Sequence, residues 1–149
     1  MSNERLNTKL KKSIFFGLKK GKDLLQSITD ICIEEDIKCA SIECIGSVQN
    51  ASLAYYDQVE LEYVPIDIHR NLEIASLTGN VSIKDNLPFV HAHVVFSDKK
   101  GIAYAGHLSL GTKIFSAELL IHVFTPGYFE RKIDSSTKLF LWKESHSEG

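Results

Sequence analysis

Three of the six histidines lie between positions 91 and 107, in the stretch HAHVVFSDKKGIAYAGHL (91–108). Imidazole nitrogens bind divalent metals, and three that converge leave a fourth tetrahedral position open to water or a ligand. Convergence depends on the elements that carry them. In a strand, residues i and i+2 project from one face, so His91 and His93 share a side. The segment Asp98-Lys99-Lys100-Gly101 suits a type I turn with Gly101 in the left-handed conformation as a G1 bulge. That turn pairs Asp98 with Ile102 and sets His93 directly opposite His107. Opposed Cβ atoms are then about 4.5–5.5 Å apart, with His91 on a diagonal of about 7–8 Å. A register slip of one residue would carry His107 to the other face and dissolve the site.

The rest of the predicted hairpin agrees with that register. His91, His93 and Val95 share a face with Ala103, Ala105 and His107, where small alanines leave room for an ion or ligand. Ala92, Val94 and Phe96 share the opposite face with Ile102, Tyr104 and Leu108, which reads as core. The competing reading is three ordinary sheet histidines, since H-x-H alone is a weak signal. Three on one face favour a metal. His69, His122 and His146 lack this context and read as structural or surface residues. Glu73 in LEIASL and Glu118 in SAELLI sit inside apolar strand patterns. Either is a candidate to orient a ligating imidazole or to act as a base on metal-bound water.

The elements that must position these residues follow from periodicity. SIFFGL (13–18) reads as a first strand, and Asp23 caps a helix in which Leu24, Leu25, Ile28, Ile31 and Cys32 recur at helical spacing to about Glu35. ASIECIGSVQNASLAYYD reads as two strands about a Gln-Asn turn. LEYVPIDIH, LEIASLTGNVSI, FVHAHVVFS, IAYAGHLSL, KIFSAELLIHVF and KLFLW follow as strands, and Pro126-Gly127 leaves a short turn at Tyr128–Lys132. Connections of two to six residues favour antiparallel pairing. The expected fold is α/β of the α+β type: one helix or two flanking a mostly antiparallel β-sheet. One domain over 1–149 is expected, with its core at about 10–142 and loose ends at 1–9 and 144–149.

Composition narrows the function classes. A chain of 149 residues with 44% hydrophobic and 24% charged residues can bury a sizeable core. Its net charge of -2 supplies no global field toward nucleic acid. Arg5, Lys9, Lys11, Lys12, Lys19, Lys20 and Lys22 make the N-terminal part locally basic, without the aromatic or glycine interleaving of a nucleic-acid arm. Cys32, Cys39 and Cys44 form no C-x-x-C pair, which fits reduced thiols in a cytoplasmic protein. No apolar run is long enough for a signal peptide or a membrane span.

GKDLLQSI (21–28), IGSVQNASLAYYD (45–57), LEIASLTGN (72–80), PFVHAHVVFSDKKGIAYAGHL (88–108) and FSAELLI (115–121) occur in the order seen in a known family. With these landmarks the chain resembles the PPC family, the plant and prokaryote conserved domain, in its stand-alone prokaryotic form. The similarity spans roughly residues 10–142, and its specific part is HxH followed by GHL after a D-x-x-G turn. The resemblance implies an antiparallel α/β fold, a homotrimer, and a metal, zinc, on His91, His93 and His107. Family members usually carry a glycine pair before the last histidine, whereas Ala105 precedes Gly106 here. Plant members that bind DNA use an AT-hook with an Arg-Gly-Arg-Pro core, which this chain lacks, so direct DNA binding is not expected to transfer.

Two functional readings follow. One is a metal-stabilised trimeric binding or regulatory module, associated with DNA or transcription proteins. The other is a small metal-dependent enzyme, with three histidine ligands and an open water position that takes a small-molecule ligand. A cupin-type oxygenase also uses HxH on strands, but it needs a glutamate a few residues on, where this chain has Ser97, Asp98 and Lys99.

Overall fold

A computed structural model describes residues 3–147. The chain runs β1 (Lys9–Leu18), α1 (Leu24–Glu34), β2 (Ala40–Val48), β3 (Ala51–Asp57), β4 (Glu62–Ile68), β5 (Leu72–Lys84), β6 (Leu87–Ser97), β7 (Ala103–Leu108), β8 (Ile114–Thr125), β9 (Tyr128–Ile133) and β10 (Phe140–His146). Eight strands form one path in the order β1-β8-β2-β5-β6-β7-β3-β4, every pairing antiparallel. The β9–β10 hairpin joins this path through a single parallel bridge between Ile83 and Glu130. The fold is the expected mostly antiparallel sheet, with α1 as its one helix among the described residues.

Asp23 caps that helix as expected, its carboxylate accepting from the Gln26 amide at 2.8 Å. The second carboxylate oxygen accepts from the Gly111 amide at 2.6 Å, so one side chain ties the helix start to the β7–β8 loop. Leu24, Ile28 and Cys32 form the buried stripe of α1 and join Phe96, Leu119 and Ile121 in the core. Each is 0% exposed, so the helix and the inner sheet face exclude water from one another. Burial pushes the Cys32 and Cys44 thiols up to about 12, which makes them packing groups rather than thiolate ligands.

Several local expectations change. Gln49-Asn50 turns the chain, but β2 and β3 do not pair: β2 lies between β8 and β5, and β3 between β7 and β4. The turn is a corner, because the partners of both strands come from elsewhere in the chain. Tyr128–Lys132 is strand rather than turn, since β10 supplies its hydrogen-bonding partner. Pairing with β9 also orders Glu144–His146, part of an end expected to be loose. The expected loose residues 1–2 and 148–149 lie outside the described residues. Ile102, expected in the core, is 51% exposed because it sits at the hairpin tip beyond the last ladder pair. Among the described residues no helix is long and apolar enough to cross a membrane.

Candidate metal centre

Two tight turns hold β6 in register from both ends. At one end the Asp98 amide donates to the Ile102 carbonyl at 3.0 Å, and the Gly101 amide donates to the Asp98 carbonyl at 2.9 Å. Gly101 has φ of 78°, and the Asp98 carboxylate accepts from the Lys100 and Ile102 amides. This turn places His93 opposite His107, Val95 opposite Ala105 and Phe96 opposite Tyr104. At the other end Asp85 and Asn86 both have positive φ, 51° and 63°, in a two-residue turn between Lys84 and Leu87. It sets Asn80 of β5 opposite His91 and Thr78 opposite His93.

The three imidazoles meet on one face. Their ring centroids are 5.1 Å (His91–His93), 5.3 Å (His91–His107) and 5.6 Å (His93–His107) apart. One nitrogen from each falls within 4.8 Å of the others, and Nε2 of His91 and His93 are 3.3 Å apart. Two nitrogens bound at about 2.0–2.1 Å to a tetrahedral ion stand about 3.3–3.4 Å from each other. That pair therefore already has the spacing of metal ligands. Burial, then the positive charge of Arg131, pushes His91 down to about 4, and burial lowers His107 in the same sense. Both rings are neutral at physiological pH, the protonation state a metal requires.

The histidines floor a cavity of about 490 Å³. Tyr63 of β4 lies against His107 with ring centroids 5.0 Å apart. Phe89, on the same face of β6 as the histidines, forms another part of the wall. The far side is Lys138–Leu141, the start of the KLFLW segment. Asp134 fixes the approach to that segment by accepting from the Ser136 and Thr137 hydroxyls and the Thr137 amide. The Tyr56 hydroxyl donates to the Thr137 carbonyl, tying the β9–β10 loop to β3.

Arg131 completes the wall. Only 8% exposed, it donates from Nε to Ser82 Oγ at 2.7 Å, from Nη1 to the Phe140 carbonyl at 2.9 Å and from Nη2 to Asn80 Oδ1 at 3.0 Å. Ser82 and Asn80 stand opposite Phe89 and His91, so the guanidinium lies along the same sheet face as the histidines.

The other sequence candidates lie elsewhere. Glu73 is exposed and pairs with Ser97, at the far end of the β5–β6 ladder from His91. Glu118 is exposed on β8, separated from β6 by β2 and β5, beside Phe15 and Ile45. Neither lines the histidine cavity. His69 is exposed, and His122 exchanges a 2.8 Å hydrogen bond with Ser13. His146 stacks on Tyr128 and sits 2.9 Å from Glu130, in a second acidic group with Glu144. Lys132 is 2.6 Å from Glu144 there and already supplies a cation.

Arg131, Tyr63 and residues 138–141 were not legible as site residues. Arg131 lies in a segment read as a turn, and no local pattern marks a cation that will be buried by a distant strand. Ala105, the departure from a glycine pair, does not line the cavity.

Known proteins share this fold. No curated protein matches the chain. Among solved structures, a metal-containing protein from Archaeoglobus fulgidus is 38% identical, with TM-score 0.91 over 95% of this chain and 100% of that one. A plant- and prokaryote-conserved (PPC) protein from Pyrococcus horikoshii is 34% identical, with TM-score 0.89 over 95% and 98%. A candidate DNA-binding protein from Ralstonia eutropha is 25% identical, with TM-score 0.77 over 87% and 90%. The profile of the Plants and Prokaryotes Conserved (PCC) domain spans residues 6–125, from before β1 to the end of β8, and the chain belongs to that family.

Proposed function

We propose that this protein is a metal-dependent binding module that holds a divalent ion, zinc by ligand type, on His91, His93 and His107. The carrying observation is the 3.3 Å approach of the His91 and His93 Nε2 atoms, with His107 on the same cavity floor. An all-imidazole set suits zinc. Three protein ligands leave the ion's remaining position facing the cavity, where a small molecule is the natural occupant. The metal-containing Archaeoglobus relative supports the same reading.

We place the working form as a homotrimer. The outer face of β1, β8 and β2 carries Phe15 (78% exposed) and Ile45 (55% exposed) around a shallow apolar depression. Apolar surface of this kind marks contact with another chain, and the family resemblance supplies three-fold assembly.

A metal-dependent enzyme is the second reading, favoured by the open position. Against it, no carboxylate lines the cavity among the described residues, and burial raises the Tyr63 phenol further from service as a base. Binding is therefore preferred over catalysis. The test is metal analysis on untagged protein together with light scattering. One zinc per chain in a trimer is expected, and a metal-free monomer would reject both claims.

A further inference from the structure

The cavity wall carries positive charge. Arg131 and Lys138 line it, the histidine cluster brings a dication when loaded, and no carboxylate lines it among the described residues. Arg131 is the telling member. All three of its protein acceptors, Ser82 Oγ, the Phe140 carbonyl and Asn80 Oδ1, are neutral. A guanidinium has five N–H donors, so one on each terminal nitrogen has no protein acceptor among the described residues. Phe89 and Trp142 lie against it, with ring centroids 5.2 Å and 5.5 Å from Cζ, and strip water from its surroundings. A buried charge without a counter-charge is costly, and the native arrangement holds this cation in the wall of a cavity that can admit an anion.

We propose that the cavity binds a small organic acid, whose carboxylate takes the two free N–H donors of Arg131 and whose apolar body rests on Phe89, Phe140 and Leu141. The inference rests on the small-ligand reading of the same cavity and adds its chemical class. The guanidinium fork matches the two oxygens of a carboxylate, and its anchorage on Asn80 and Ser82 fixes it before the ligand arrives. Asn80 stands opposite His91, so the acid is held next to the metal ligands. The apolar walls reward a ligand with a hydrocarbon or aromatic body over a bare inorganic anion. A bound carboxylate supplies the counter-charge that the protein itself withholds.

The experiment is calorimetric titration of the full-length, zinc-loaded protein with benzoate and with benzamide, a neutral molecule of nearly the same shape. Benzoate is expected to bind roughly tenfold or more tighter, since the charge-assisted pair is made by the carboxylate alone. Arg131→Lys should narrow that preference and Arg131→Gln should remove it. Equal affinities for benzoate and benzamide, or an undiminished benzoate preference in both folded variants, overturn the inference. Should the variants fail to fold, the same comparison on protein stripped of zinc by a chelator decides, because a benzoate preference that survives there cannot come from coordination to the metal. Metal content measured on the same samples separates the two readings. Stoichiometric zinc with no benzoate preference removes the acid site and leaves the metal. A benzoate preference without zinc uptake removes the metal and leaves the acid site.

Discussion

Asn80 stands directly across the β5–β6 ladder from His91, and its side-chain oxygen accepts a 3.0 Å hydrogen bond from Arg131. One amide thus connects the metal-binding strand to the buried cation. Replacing it by alanine leaves a guanidinium N–H without its acceptor in a site only 8% exposed. Asn80→Ala is expected to cost about 1–3 kcal/mol, the usual penalty of orphaning a buried polar group. Urea unfolding checks this, and an unchanged midpoint would mean that water replaces the amide. Asn80→Asp would instead place a counter-charge beside Arg131 and erase any preference of the cavity for anions.

Metal affinity should depend on His93 far more than its exposed position suggests. His93 comes within 3.3 Å of His91 and stands directly opposite His107 on the neighbouring strand. His93→Ala removes one of three ligands, so the loss should exceed the roughly 10–100-fold typical of removing an outer partner. His122→Ala, whose ring bonds Ser13 instead, should leave affinity unchanged. Competition against a chromophoric zinc chelator reads both.

The metal-free protein should lose stability as pH falls from about 6.5 toward 4. His91 is held down at about 4 in the folded chain, against an ordinary value of 6.5, and His107 is lowered too. Between those values the unfolded chain binds more protons than the folded one, so stability rises with pH and levels off above 6.5. Melting temperature against pH, compared with His91→Gln, should show the slope in the parent and a shallower one in the variant. Carboxylates such as Asp134 also favour the folded state less in acid, but both proteins share that loss. Parallel curves would contradict the assignment.

Gly79 controls how closely β5 approaches β6 beside the site. A Cβ added there would lie 2.2 Å from the His91 carbonyl oxygen and 2.9 Å from Ala92 Cα, both backbone atoms that cannot swing aside. Gly79→Ala should therefore separate the strands at His91. An overpacking cost of about 1–3 kcal/mol or more is expected, together with weaker zinc binding. Retained stability and retained affinity would show that the ladder yields without moving the histidine.

Duplex DNA should not bind the isolated chain with sub-micromolar affinity at physiological salt. Net charge is -2, the basic N-terminal segment is short, and these 149 residues contain no Arg-Gly-Arg-Pro core. Several of its lysines lie on β1, the strand at one end of the sheet, where charge discourages edge-to-edge pairing. Lys12 is also 3.0 Å from Glu35. Fluorescence anisotropy at two salt concentrations tests this; tight, salt-sensitive binding would point to those lysines.

Whatever short-range chemistry controls could be read from the residues alone. Asp98-Lys99-Lys100-Gly101 dictates the turn, the turn dictates the β6–β7 register, and alternation puts His91, His93 and His107 on one face. Asp23 and the apolar spacing behind it determined α1 in the same local way. Which strands become neighbours emerges only on folding, because hydrogen-bonding partners tens of residues apart leave no local signature. That is why the two strands read about Gln49-Asn50 do not pair with each other, and why Tyr128–Lys132 looked like a turn and is a strand. Glu73 and Glu118 fit the strand pattern, yet pairing carried both away from the histidines. Arg131, Tyr63 and residues 138–141 reach the cavity through strands distant in sequence, and burial of the Arg131 charge exists only once those strands have met.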